Sequence, residues 1–280
     1  MIIPWIRASE GSGLATHTEQ MVGNNPEKGL PVGEESRLVD LYRRWFDIMP
    51  ATTPELVAES QRLRYQVYCI ETGFENAAEF PDGRECDKFD AERAVCSLLI
   101  HRPSGMVAGT VRLILPDARA PIDAPIPALA TSSDLCGLDE TALPRAHTGE
   151  ISRFAISKQF RKRREDSLIP AIYEPSGQSG DLRVIPHITL GLMQAILRMS
   201  IENKVTHLAI LVEPALDRLI RKLGIYFTPV GPLIEHHGKR RAHYRRIGDL
   251  LDQVYEVRPE IWEVLTDAGK LWPRPGAPVS

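Results

Sequence analysis

The sequence predicts a mixed α/β fold, a central mixed sheet flanked by helices. Three observations predict it. Two helical patterns stand near the start, Ala94 to Leu115 reads as a strand–turn–strand unit, and from Glu150 onward strand and helix patterns alternate. Hairpin-linked strands pair antiparallel, whereas strands separated by helices can run parallel, so the sheet is expected to contain both.

Residues 1–35 are rich in Gly, Ser, Asn, Glu and Pro and have little periodicity, which predicts a flexible N-terminal arm. Residues 36–48 carry Leu38, Leu41, Tyr42, Trp45 and Phe46 at helical spacing, and Pro50 is expected to end that helix. A second helix has Thr53 as its cap, Pro54 in its first turn and Leu56, Ser60, Leu63 and Val67 on one stripe. Arg64 and Tyr68 lie one turn apart on it and project from the same side. Residues 71–90 read as an acidic loop broken by Gly73, Pro81 and Gly83.

Ala94–Ile100 and Val107–Leu115 are strands joined through a Pro-Ser-Gly turn, with Ala108, Thr110, Arg112 and Ile114 on one face of the second. Residues 116–148 form a long proline-rich excursion. In the next strand, Glu150–Ile156, alternation sets Glu150, Ser152, Phe154 and Ile156 against Ile151, Arg153 and Ala155. A basic run and a Gly/Ser/Pro loop follow, then an apolar helix at Ile185–Ile201 and a buried strand at Thr206–Val212. A short helix spans Pro214–Leu223, Gly224 closes it, and Ile225–Val230 returns as a strand. The 247–280 region is a helical tail that packs Leu250, Leu251, Val254, Ile261, Trp262 and Leu265, leaving 36–246 as the main domain.

The chain has 280 residues, 43% hydrophobic and 25% charged, an ordinary globular mixture. A net charge of −3 argues against a nucleic-acid coat, and no apolar run approaches the roughly 20 residues that span a bilayer. Met1–Gly13 is a poor secretory signal, so a cytoplasmic location is expected. Cys69, Cys86, Cys96 and Cys136 contain no Cys-x-x-Cys pair, and His236, His237 and His243 lack a metal-binding spacing; no metal site is expected.

Three motifs occur in order. Arg64, Tyr68 and Phe74 are spaced R-x3-Y-x5-F; Glu85-Cys86-Asp87-Lys88-Phe89-Asp90 has the form E-x-D-x-F-D; and Glu150-Ile151-Ser152-Arg153 follows a strand arginine, Arg112. The set resembles the acyl-homoserine-lactone synthases and, more strongly, their N-acyl amino acid synthase cousins. It is most similar to the acyltransferases associated with exosortase and PEP-CTERM systems, through Arg64-Tyr65-Gln66-Val67-Tyr68 and Glu150–Ser157. Glu213-Pro214-Ala215-Leu216, Gly231-Pro232 and Glu235-His236-His237-Gly238 fit the same group. The resemblance covers roughly residues 55–245. It implies the GNAT acyl-CoA N-acyltransferase fold, a cytoplasmic acyltransferase and an acyl thioester donor on acyl carrier protein, with no tightly bound cofactor. Phe74 stands where the lactone synthases have tryptophan, and about ten extra residues separate Arg112 from Glu150. Both departures favour an amine other than S-adenosylmethionine.

An ammonium acceptor must lose a proton before its nitrogen attacks a thioester, and a carboxylate at a strand end suits that task. The motif match gives the role to Glu150; the other reading of Glu150 is an ion pair with Arg112 or Arg153, and the two are compatible. Backbone N–H groups near Ser152–Phe154 suit the developing oxyanion. Arg112, in an otherwise apolar strand, needs partners, with Asp87, Asp90 and Glu150 the candidates. Asp87 and Asp90 suit an acidic loop that folds over the amine or orders the arm through Arg64 and Arg112. Tyr68 and Phe74 are candidate walls of an amine or acyl pocket, or plain core. Arg161, Lys162, Arg163 and Arg164 lack the Gln/Arg-x-x-Gly-x-Gly/Ala loop of coenzyme A binders and suit docking of an acidic carrier protein. Lys239, Arg240, Arg241, Arg245 and Arg246 form a second basic cluster.

Three functions are compatible with these features. The first is transfer of a fatty acyl chain from acyl carrier protein to a small amine, an amino acid above all. The second is lactone synthesis from S-adenosylmethionine. The third is a catalytically silent lipid-sensing or partner-binding protein.

Overall fold

The computed structural model describes residues 37–117, 126–127, 143–161 and 184–276. The predicted arm, residues 118–125 and 128–142 of the excursion, Lys162, Arg163, Arg164, the rest of the loop before the apolar helix, Cys136 and the last four residues lie outside them.

The chain opens with helix α1 (Leu38–Trp45), strand β1 (Phe46–Pro50) and helix α2 (Pro54–Arg64). The first helix is shorter than its spacing predicts. Phe46–Pro50 turns into an edge strand because it finds a partner in Ser97–His101, a pairing that local periodicity does not reveal. Thr53 caps α2 by accepting from the Leu56 N–H, with Pro54 in the first turn. The helix then widens into a π-helical turn, Tyr65–Glu71.

The 71–90 segment is not wholly loop. Asp87 caps a short helix α3 (Lys88–Glu92), and Asp87 and Asp90 complete a reciprocal capping box. Strands β2 (Ala94–His101) and β3 (Met106–Ile114) form the expected hairpin, and β4 (Thr148–Ile156) adds beside β3.

Helix α4 (Val184–Glu202) crosses the sheet to β5 (His207–Val212), followed by α5 (Pro214–Lys222). The expected strand at Ile225–Val230 lies further along, as β6 (Thr228–Glu235). The second basic cluster is itself a strand, β7 (Lys239–Arg246), paired with both β5 and β6. Helices α6 (Ile247–Val257) and α7 (Pro259–Leu265) end the described fold.

The seven strands are ordered β1-β2-β3-β4-β5-β7-β6. Every pair is antiparallel except β4–β5, which is parallel and joined only over Thr148–Ile151 and His207–Ile210. Strand β4 continues to Ile156, so the sheet parts after Ile151.

One face carries the main core. Ile188, Leu192, Ala195, Ile196 and Met199 of α4 are buried in one cluster with Leu113, Ile151 and Trp262, the last of these on α7. Each buried Leu, Ile or Met side chain contributes about 1.5–3 kcal/mol on leaving water. Gly109 lets α4 lie close, since a Cβ there would sit 3.1 Å from Leu192 and 3.4 Å from Ile188. The opposite face is polar at β3 and β4 and small at β5 and β7, where Ala209 and Ala242 pack with Ile126 and Leu143. No helix among the described residues is long and apolar enough to cross a membrane.

Candidate active site

Where the sheet parts, the chain forms an open-mouthed cavity of about 710 Å³. Its lining changes character from one sheet face to the other. On the α2 side stand Glu150, Ser152, Arg112 and Asp87; on the α4 side stand Ile156, Ile210, Val212 and Leu216. The cavity thus passes through the slot between β4 and β5, polar at one end and apolar at the other.

Glu150 is 8% exposed and sits on the last turn of the pleat before the slot, opposite Ile114 on one side and Ala209 on the other. Two residues on, β4 departs from regular alternation. Ser152 pairs with Arg112 and Ala155 with Thr110, so Arg153 and Phe154 together face Val111 alone. Arg153 adopts φ +50°, a left-handed conformation that suits a bulge. The bulge reverses the expectation for Arg153. Instead of facing away from Ser152, its guanidinium joins the same polar cluster.

That cluster is a chain of ion pairs. Arg112, 1% exposed, donates to both oxygens of Asp87 at 2.7 and 2.8 Å, to Asp90 at 2.8 Å and to the Ser152 hydroxyl at 3.0 Å. Arg64, fully buried, donates to Glu85 at 2.5 Å and to both oxygens of Asp90 at 2.7 and 2.9 Å. Arg153 closes the chain by donating to Glu85 at 3.0 Å and Glu75 at 3.1 Å. Each buried cation has carboxylates in bonding geometry, the condition under which burial of a charge is tolerable. Burial opposes ionisation of Asp90, but hydrogen bonds from Arg64 and the charges of Arg64 and Arg112 outweigh it and draw its pKa down to about 2. Burial likewise opposes ionisation of Asp87, and Arg112 holds its carboxyl below the usual range.

The motif residues therefore divide into two shells. Tyr68, Phe74, Asp87, Arg112, Glu150, Ser152, Arg153 and Arg161 line the cavity. Arg64 and Asp90 do not; they stand behind the wall and brace it. Asp87 and Asp90 pair with Arg112 and Arg64, the partners the sequence offered them, and also cap α3. Tyr68 donates its hydroxyl to the Phe154 carbonyl at 3.1 Å, under the Arg153 guanidinium at 5.5 Å. Burial raises the Tyr68 pKa, so the phenol stays protonated well past neutral pH. Phe74 packs at the rim on His237, 5.4 Å between rings, and beneath Arg240 at 5.6 Å. Of the predicted docking run only Arg161 is described, and it pairs with Glu71.

Sequence reasoning missed several lining groups: Glu75, Thr189, His237 and the role of Arg240. Glu75 has no motif around it. His237 and Arg240 enter because β6 and β7 form a hairpin, and the hairpin was hidden by the density of basic residues in β7. Among the described residues no group of three His, Cys, Asp or Glu side chains is placed to hold a metal ion.

Residues 63–170 match the family profile of the acetyltransferase (GNAT) domain. No curated protein matches the chain in sequence. Among solved structures, TofI in a ternary complex with an inhibitor and MTA aligns with TM-score 0.51 at 17% identity, over 78% of this chain and 99% of that one. The acyl-homoserine-lactone synthase LasI aligns with TM-score 0.48 at 24% identity, over 72% and 88%. FeeM, an N-acyl amino acid synthase from uncultured soil microbes, aligns with TM-score 0.44 at 16% identity, over 74% and 94%. The mixed seven-stranded sheet with its flanking helices is GNAT-like.

Proposed function

We propose that the chain is an N-acyltransferase that moves a fatty acyl group from acyl carrier protein to the amine of a small acceptor, an amino acid. One observation carries this reading: Glu150 stands at the slot where a polar chamber meets an apolar one. A fatty thioester needs an apolar channel for its chain. An amine needs a carboxylate to take its proton, and the two must meet within about 3–3.5 Å to react.

In this scheme the acyl chain lies among Ile156, Ile210, Val212 and Leu216, and the thioester carbonyl reaches the bulge. The acceptor nitrogen gives its proton to Glu150, directly or through a water, and attacks the carbonyl carbon. Backbone N–H groups at Ser152–Phe154 hold the oxyanion. Collapse forms the amide, breaks the carbon–sulfur bond and passes the second proton of the attacking nitrogen, directly or through water, to the departing phosphopantetheine thiolate. The ion-pair chain from Arg64 to Arg153 positions Ser152 and the bulge, with Asp87, Arg112 and Arg153 facing the substrate cavity. The resemblance of Glu150–Ser157 to the acyltransferases of exosortase and PEP-CTERM systems supports a cytoplasmic role in such a system.

The test is lipid extraction from a bacterial host expressing the chain, with mass spectrometry of N-acyl amines. New N-acyl amino acids, absent with Glu150→Gln, are the expected result. No product and no turnover of acyl carrier protein or coenzyme A thioesters with any amino acid rejects the reading. Consumption of S-adenosylmethionine makes the chain a lactone synthase instead.

A further inference from the structure

We propose that Arg240 selects acceptors bearing a carboxylate and serves as the counter-ion of that group. The proposal rests on the acyl-transfer reading above and adds to it the residue that reads the acceptor.

Four guanidinium groups line the cavity. Arg112 is answered by Asp87 and Asp90, Arg153 by Glu85 and Glu75, and Arg161 by Glu71. Arg240 has no carboxylate within ion-pair distance among the described residues, and its Nε is buried with no hydrogen-bond partner. An aromatic face holds it instead, with the guanidinium carbon 5.6 Å from the Phe74 centroid. The ring contact holds the cation without neutralising it, and a guanidinium so held can bond an oxyanion in a fork through its remaining N–H groups. A partly desolvated cation without an anion is costly, and a bound carboxylate relieves that cost.

Strand register says which substrate brings the anion. Arg240 lies two residues before Ala242, so both point to the same face of β7. Ala242 packs with Ala209 on that face, and Ala209 is the β5 partner of Glu150. Arg240 and Glu150 therefore flank the polar end of the cavity from opposite sides of the slot. The apolar channel for the donor chain opens on the other face. A free amino acid at neutral pH carries an ammonium and a carboxylate. Glu150 answers the first and Arg240 the second.

The experiment compares single L-amino acids with their carboxamides, using purified chain and acyl carrier protein thioester. Wild type is expected to prefer acid over amide by about tenfold or more in kcat/KM, the size of effect that a charge-assisted fork supplies. Arg240→Met should erase that preference through a raised acceptor KM with donor KM unchanged, and Arg240→Lys should restore part of it. Equal losses for acid and amide, or a change confined to donor KM, overturn the proposal; the latter assigns Arg240 to a donor phosphate. Calorimetric titration of the same acids and amides separates this outcome from failure of the acyl-transfer reading. Acid binding that R240M abolishes supports the proposal even without turnover. No acid binding, or equal binding of acid and amide, sinks it. Circular dichroism of R240M checks that the fold is intact.

Discussion

Arg64 and Glu85 meet 2.5 Å apart with 1% of each side chain exposed, one at the end of α2 and the other just before α3. Removing either partner leaves the other with a single remaining ion pair, Glu85 with Arg153 or Arg64 with Asp90, in a place water does not reach. Arg64→Met and Glu85→Gln should each cost about 3–5 kcal/mol, read as a lower urea midpoint, and the double variant should cost less than their sum. Single variants within about 1 kcal/mol of wild type would show that the pair contributes little to stability.

Acid should act on the same cluster. The folded-state pKa of Asp90, about 2, lies below the ordinary aspartate value of about 3.9. Its contribution is therefore complete above about pH 4 and fades as pH falls toward 2, because the unfolded chain takes up the proton first. Asp87, also held low by Arg112, adds in the same direction. Melting temperatures measured across that window should drop more steeply for wild type than for Asp90→Asn. Parallel curves would remove Asp90 from the acid response.

Glu150→Gln should lower kcat by about 10²- to 10⁴-fold with the fold intact, the usual yield of a general base. Hydroxylamine, already neutral at pH 7, needs no base, so it should lose far less than an amino acid does. A loss of the same size with both acceptors favours the ion-pair role of Glu150 over proton removal.

Leu216 narrows the apolar end of the cavity. Leu216→Trp fills space there, so the product distribution should shift to shorter acyl chains, with KM for long-chain thioesters up about tenfold or more, as expected for overpacking by about 1–3 kcal/mol. Unchanged chain-length preference would place the acyl group elsewhere.

Gly191 of α4 faces Tyr42 of α1, whose hydroxyl donates to the His187 carbonyl at 3.2 Å. A Cβ at Gly191 would overlap the Tyr42 hydroxyl and come within 2.8 Å of Leu99. Gly191→Ala should therefore destabilise by about 1–3 kcal/mol despite its better helix propensity. Tyr42→Phe in the same chain should recover part of the loss, since it removes the oxygen but leaves Leu99. Thermal melting of the four combinations measures both effects.

What could be read in advance was what local spacing encodes. The stripe of Ile188, Leu192, Ala195, Ile196 and Met199 marked α4, and the Pro-Ser-Gly turn marked the β2–β3 hairpin. Phe46 misled because it continues the helical spacing of Tyr42, while its strand partner, His101, is remote in sequence. Strand β7 was hidden because Arg240 points at a cavity and Arg241 at the other face, so neither face reads as apolar. Asp87 and Asp90, three apart, carried a capping signal that the acidic-loop reading passed over. The bulge at Arg153 had no signal of its own: a left-handed arginine is set by the ion pairs around it, not by its neighbours in the chain. Most motif residues did converge on one cavity, because motif order records spatial proximity even where facing is misjudged.

The single parallel junction of the sheet also bears on how the chain acquires its shape. Hairpins β2–β3 and β6–β7 close over short turns, so each can form from neighbouring residues. Strands β4 and β5 meet through only four Cα pairs, and that meeting must wait until α4 has crossed the sheet. Non-local pairings of this kind form slowly and late. The seam of the chamber, Glu150–Ile151 against Ala209–Ile210, is therefore expected to form after either hairpin and to release amide deuterium ahead of them.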